Sequence, residues 1–337
     1  MGVTVGNETA DFARIAAGFK NSSVFRYGND ISLEPVTRSD IKSVDYLEEL
    51  LMAEKITLSD MYILEAVAFF GHADLKMVAS RLKWMAGKYP QKPIMTDPDS
   101  LGGRLQTLGK YGLLWRRKYS CGGKGNIFVY TITYRGFKMY SERLDKSFHY
   151  DTGLVAQCTT RVLRSIHVGE VACIFEGRLS KIADMEEWRH SSYVLKYGDK
   201  GKFYPNGYIR CLHNGENWNI ILEAAHFNVD DRIESKQERI LKFEEMLDTL
   251  VKVKDTFAAR FENTLFVFCV EDFEGVNKLS KILGSYKEDF NGNTYITSER
   301  VLKTNQLDFA SSMVKPRIIG SSLKVTACIP SQEWFIA

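Results

Sequence analysis

Residues 97–114 read DPDSLGGRLQTLGKYGLL, and residues 113–133 read LLWRRKYSCGGKGNIFVYTIT. The first stretch has a helical period. Leu101, Leu105, Leu108 and Gly112 recur at spacings of four, three and four, which sets them on one side of a helix. Gly103, Gln106, Thr107 and Lys110 then point away from that side, with Arg104 on the flank. Asp97 or Asp99 can cap the helix start, and Pro98 suits its first turn. The pair Gly102 and Gly103 costs about 1 kcal/mol per residue relative to Ala in a helix interior, so either another backbone approaches closely there or the helix begins poorly. The second stretch has the pattern of a β-hairpin. Arg116, Arg117 and Lys118 open its first strand, the tip CGGKG at 121–125 carries Lys124, and Ile127 to Thr133 returns with alternation and β-branched residues.

Two further apolar-periodic segments precede these, TLSDMYILEAVAFFG at 57–71 and ADLKMVASRLKWMAG at 73–87, and a short one follows, YRGFKMYSERLD at 134–145. Three helices, a two-stranded wing and a closing helix form the order of a winged helix-turn-helix domain. In such a domain the third helix enters the DNA major groove and the wing lies along the backbone. Charge agrees with that order. From Lys55 to Asp145, fifteen Lys or Arg stand against seven Asp or Glu, a local excess of +8 in a chain whose total is +3. A basic run is commonly a solvated face, but this one coincides with the helix and hairpin that would meet a polyanion. The expected partner is double-stranded DNA. The expected contacts are Gly103, Arg104, Gln106, Thr107 and Lys110 on the helix, and Arg116, Arg117, Lys118 and Lys124 on the wing, because these types bond base edges or phosphates.

A length of 337 residues accommodates two domains, and 45% hydrophobic with 26% charged residues is ordinary for a soluble globular chain. The opening MGVTVGNETADF lacks a charged segment followed by an apolar core, and no uncharged apolar run approaches about 18 residues, so a cytoplasmic protein with no membrane span is expected. Six cysteines occur without a CxxC pair, and the six histidines show no HExxH spacing. Neither a structural zinc site nor a disulfide framework is expected, and no cofactor is called for.

The chain divides into an N-terminal extension with a helix (1–55), the winged-helix domain (56–146) and an α/β domain (150–337), with the boundary near KSFHYDTG at 146–153. Within the extension, ARIAAGFK is a candidate short helix and SSVFRYGNDISLEP is extended or irregular. Ser39 to Lys55 has a helical stripe of Ile41, Val44, Leu47 and Leu51, which either packs on the winged helix or pairs with a second copy to give a homodimer. Beyond the boundary, Leu154 to about Glu187 reads as mostly helical, and strands follow in SYVLKYG, GKFYPNGYIRCLH and Trp218 to Leu222. A long amphipathic helix from Asp231 to about Lys254, a buried strand in NTLFVFCVED, a helix at Val276 to Leu283 and a last strand in GNTYITS complete an α/β domain with a mixed sheet.

The order helix, strand, YPNGYIR, turn, strand, ILEAA, long helix, strand resembles the PD-(D/E)xK nuclease-like fold. That resemblance implies an Asp and a second acidic residue holding a divalent metal, with a Lys two residues on. Here Asn206 stands at the Asp position, Glu223 keeps the acidic one, and Ala225 stands at the Lys. Asn is a weaker, neutral ligand and Ala gives no charge to the scissile phosphate, so Asn206 and Glu223 are vestigial candidates and the domain is expected to be inactive. Lys236 could replace the lost Lys, and Glu170, Glu176 or Asp199 could supply a carboxylate; the alternative is that all four are solvated charges. A basic winged helix joined to such a domain is similar to the replication-relaxation family of Gram-positive plasmids and other mobile elements, over roughly residues 57 to 285. In that family the second motif usually ends in an acidic residue where this chain has Ala225. The resemblance implies a DNA-binding accessory role in replication, conjugative transfer or their transcriptional control, with a replication or transfer protein as a further partner. The competing readings are a metal-dependent nuclease or nickase with displaced catalytic groups, and a protein-binding scaffold.

Overall fold

The computed structural model describes residues 31–34, 43–121, 126–145, 150–154, 157, 159–179, 184–190, 195–197, 201–213, 215–225, 236–258, 263–270, 273–286, 294–297, 313–319 and 322–328. The chain is a mixed α+β protein that divides into two units, Asp30–Gly169 and Glu170–Ala337 together with Met1–Asn29. The division falls after Gly169, and residues 146–153 lie inside the first unit.

The first unit contains β1 (Ile31–Glu34), α1 (Val44–Met52), α2 (Leu58–Phe70), β2 (His72–Ala73), α3 (Leu75–Lys88), α4 (Pro98–Lys110), β3 (Leu114–Cys121), β4 (Asn126–Ile132) and α5 (Tyr134–Arg143). Its centre is α2, which buries Met61, Tyr62, Ile63, Leu64, Ala66, Val67 and Phe70, residues too many for one stripe. A helix apolar nearly all round belongs in the middle of a core. Around it α3 sets Met77, Val78, Leu82 and Met85, and α4 sets Leu101, Leu105 and Leu108. Asp74 caps α3 by accepting from the Met77 amide at 2.8 Å, and Thr133 caps α5 by accepting from the Gly136 amide at 3.1 Å.

The strands form one antiparallel sheet in the order β1-β3-β4-β2. Leu114 to Ser120 of β3 pair with Ile132 back to Asn126 of β4, which is the expected hairpin. Its outer edge is covered by β1, from a stretch expected to be extended or irregular, and its inner edge by the two-residue β2. Gly112, at φ 73, lets the chain leave α4 and enter β3 at once. The turn is knitted to the far end of the hairpin, since the Thr133 hydroxyl donates to the carbonyls of Gly112 (2.9 Å) and Leu113 (3.0 Å). A side chain at Gly136 would lie 2.2 Å from the Leu113 carbonyl oxygen, so α5 needs a glycine there.

Of the stripe expected before the first domain, Leu47 is buried in α1, together with Leu50. Val44 is 59% exposed and Leu51 only half-buried, while Ile41 lies outside the described residues. The candidate helix ARIAAGFK also lies outside them.

The helix α6 (Thr159–Leu179) precedes β5 (Asp184–His190), β6 (Leu195–Tyr197), β7 (Gly201–Phe203), β8 (Gly207–His213), β9 (Glu216–Ala225), α7 (Lys236–Ala258), β10 (Asn263–Val270), α8 (Phe273–Gly284), β11 (Thr294–Thr297), β12 (Met313–Ile319) and β13 (Ser322–Cys328). Seven of these strands make a mixed sheet in the order β13-β12-β11-β10-β9-β8-β5. β5, β8 and β9 are antiparallel neighbours; β9, β10 and β11 are parallel; β11, β12 and β13 are antiparallel again. Parallel neighbours require crossovers, and α7 and α8 supply them. β10 is buried from Thr264 to Val270, as befits a strand covered on both faces. Phe243, Leu247, Leu250 and Val253 of α7 and Val276, Leu279 and Leu283 of α8 share a core with Ile221, Phe266, Phe268 and Ile296.

Two expectations from the sequence are corrected here. Helix was expected to about Glu187, but α6 ends at Leu179 and 184–190 form a strand: pairing with β8, from Asp184↔Leu212 to His190↔Gly207, overrides the helix preference of Glu186 and Glu187. The sheet also continues past GNTYITS into the hairpin β12–β13, which extends it by two strands.

Candidate nucleic-acid interface

The start of α4 is fixed by Asp97, whose carboxylate accepts from the amides of Ser100 (3.0 Å) and Asp99 (3.4 Å) and from the Ser100 hydroxyl. Those bonds, the Ser100 hydroxyl first, lower the pKa of this exposed carboxyl below the usual carboxylate value. Asp97 is therefore the cap, and Pro98 takes the first helical position. Leu101, Leu105, Leu108 and Gly109 face the core, and Gly103, Gln106 and Lys110 are exposed. Thr107 is half-buried, with its hydroxyl donating to the Gly103 carbonyl at 3.0 Å.

Arg104 behaves differently from its neighbours. Its Nε and Nη2 donate to the two carboxylate oxygens of Asp60 on α2, and Nη2 also reaches the Lys55 carbonyl at 2.6 Å. The same Asp60 carboxylate accepts from the Thr57 amide (2.6 Å) and hydroxyl (3.0 Å). The Asp60 bond raises the Arg104 pKa still further, so the guanidinium is a fixed cation committed to the protein.

On β3 alternate residues face opposite ways, so Arg116 and Lys118 share one face and Arg117 the other. The Arg116 guanidinium lies 4.0 Å from the Phe128 ring centroid, a cation–π contact. Arg117 is only 7% exposed and donates to the Gln157 carbonyl at 3.3 Å. Register sets Glu34 of β1 opposite Lys118. Lys124 lies outside the described residues. Of the nine expected contacts, Gly103, Gln106 and Lys110 therefore stand exposed, Arg116 and Lys118 share one face of the hairpin with Arg116 stacked on Phe128 and bonded to Tyr130, and Arg104 and Arg117 are held by internal partners.

Two features escaped the sequence reading. Arg81 of α3 is sandwiched between Phe69 (3.7 Å to the centroid) and Trp84 (4.2 Å), and Lys88 lies 5.0 Å from Trp84. The R-x-x-W-x-x-x-K spacing at 81–88 was the available signal. His72, fully buried, bonds Thr131 Oγ1 through Nδ1 (2.7 Å) and Gln157 Oε1 through Nε2 (3.0 Å), so Gln157 anchors both β2 and Arg117.

In the second unit Asn206 and Glu223 meet. The Asn206 amide donates to Glu223 Oε1 at 3.0 Å, and Asn206 Oδ1 accepts from the Ala224 amide at 3.0 Å. Glu223 is 5% exposed. Ala225, one pleat further along β9, is 1% exposed and belongs to the apolar core. Glu170 of α6 is buried; Asp199 and the side chains of Glu176 and Lys236 lie outside the described residues. Among the described residues, no group of three or more His, Cys, Asp or Glu is placed to hold a metal, and no helix is long and apolar enough to cross a membrane. In comparisons with known proteins, no family model, curated protein or solved structure matches this chain.

Proposed function

We propose that this chain is a cytoplasmic DNA-binding accessory protein of a plasmid or other mobile element, acting in its replication, conjugative transfer or transcriptional control. The observation that carries the reading is the continuous run from α4 to the wing. A helix with a buried leucine stripe offers Gln106 and Lys110 outward, turns once at Gly112, and enters a hairpin with Arg116 and Lys118 on one face. This is the part list of a winged helix, with polar side chains suited to base edges on the helix and cations suited to phosphates on the wing. Double-stranded DNA is the partner.

For the second unit, the C-terminal half of α6, an antiparallel meander β5-β8-β9, a crossover helix and the parallel strand β10 support a PD-(D/E)xK-like topology. Its chemistry is that of a platform. Asn206 spends its side-chain oxygen on the Ala224 amide, and the place of the catalytic Lys is a core alanine. DNA or a replication or transfer protein is the partner class such a platform serves, and a homodimer would pair through the stripe at 39–55. The test is a salt-titrated mobility shift with duplex DNA, followed by footprinting on the element's own DNA. Retardation that falls steeply with salt, with a protected site, supports the reading; no retardation at low salt sinks it.

A further inference from the structure

We infer that Gly103 marks the point of closest approach between α4 and duplex DNA, and that the missing side chain is what lets the helix sit that deeply in the major groove. This rests on the DNA-binding reading above.

The free protein has no visible use for a glycine at this position. A Cβ built on Gly103 meets nothing within 4 Å, and the residue is not among those with positive φ, so an alanine would fit. Gly136 and Gly169 contrast with it, whereas Gly87 on α3 shares its open surroundings. A Cβ at Gly136 would lie 2.2 Å from the Leu113 carbonyl oxygen, and one at Gly169 would lie 2.2 Å from Met77 Cε. Gly136 is required by packing against backbone, and a side chain at Gly169 would have to displace the tip of the Met77 side chain; Gly103 sits in mid-helix, where glycine weakens a helix, and meets neither constraint.

The surroundings keep this spot bare. Arg104, the next residue, is drawn away onto Asp60 and the Lys55 carbonyl. Thr107, one turn on, folds its hydroxyl back onto the Gly103 carbonyl instead of projecting it. Gln106 and Lys110 remain exposed at the margin. The face is thus low at Gly103 and flanked by long polar side chains, a relief that suits a groove wall at the glycine and base edges or phosphates at Gln106 and Lys110.

The experiment uses the full chain and short duplexes enriched by the wild type from a pool with a randomised centre. Gly103→Ala is expected to raise the thermal midpoint by about 2–4 °C while weakening binding about tenfold or more, with Gly103→Ser weakening it likewise. Gly87→Ala is the control: Gly87 is also helical and exposed, a Cβ there also meets nothing within 4 Å, and affinity should stay unchanged. Wild-type affinity in Gly103→Ala overturns the inference and leaves the DNA-binding reading standing. A lowered midpoint in that variant, or equal weakening in Gly87→Ala, also overturns it. Failure of the wild type to bind any duplex overturns both.

Discussion

Arg104 on α4 and Asp60 on α2 form a two-point ion pair in which both carboxylate oxygens are engaged. Asp60 is 1% exposed and Arg104 23%, and the same carboxylate closes the first turn of α2 through Thr57. The pair therefore ties α4 to the start of the central helix. Breaking a fully buried pair by removing one partner costs about 3–5 kcal/mol, and the partial exposure of Arg104 reduces that. Arg104→Gln and Asp60→Asn are each expected to destabilise the fold, with a double mutant far from additive. If Arg104 neutralised a phosphate, removing its charge would lower the logarithmic salt slope of DNA binding by about 1, whereas a positioning residue leaves the slope intact. An altered slope in Arg104→Gln, absent in Asp60→Asn, would return Arg104 to the residues that touch DNA.

The β3–β4 hairpin separates its arginines by strand alternation. Arg116→Ala with Lys118→Ala is expected to weaken binding to all sequences and to reduce the salt slope by about 2, since each phosphate neutralised contributes about 0.9. Arg117→Ala should instead lower the thermal midpoint without changing the slope, because its guanidinium is spent on the Gln157 carbonyl. Equal slope changes in the two experiments would remove this assignment.

What the sequence disclosed follows from how local each signal is. The leucine stripe of α4 and the Gly-rich hairpin are periodic within a few residues, so the helix, its exposed polar face and the hairpin were legible. Arg104 was not, because its partner lies 44 residues away and nothing in its own helix separates a flank position from a tertiary ion pair. Strand alternation in RRK already required Arg117 to face away from Arg116 and Lys118, and only burial shows which face is inward. β5 was hidden by helix-forming glutamates, and β12 by Pro316, which demotes a strand pattern although here it sits opposite Val325. Asn206 and Glu223 do meet, but the bond between them and the second bond from the Ala224 amide to Asn206 Oδ1 are contacts between β9 and the residue preceding β8 that no spacing encodes.

The cap of α4 should titrate. Asp97 holds its proton less tightly folded than unfolded, so in acid the unfolded state binds more protons and stability falls. The contribution is fully present above the ordinary carboxylate value and is lost as pH drops through the depressed folded value. Asn caps a helix about as well as Asp but does not titrate. Asp97→Asn is therefore expected to leave the midpoint near neutral pH almost unchanged and to flatten its acid limb; an acid limb identical to wild type would assign the pH dependence to other carboxylates.

Hydrolysis of DNA by the second unit is not expected. A divalent metal there would need an anionic ligand at 206, yet Asn206 is neutral and its Oδ1 already accepts from the Ala224 amide. A catalytic cation would need room at 225, yet Ala225 is in the apolar core, where an ammonium group is expensive to desolvate. Ala225→Lys is thus expected to unfold the domain before it confers activity. Glu223→Gln keeps a carbonyl for the Asn206 amide and should be tolerated, while Glu223→Ala leaves that part-buried amide unpaired at a cost of about 1–3 kcal/mol. Supercoiled and single-stranded DNA incubated with the purified chain in Mg²⁺ or Mn²⁺ should remain intact. Cleavage that persists through purification and vanishes in Glu223→Gln, a variant that still folds, would overturn the platform reading and make this carboxylate a metal ligand.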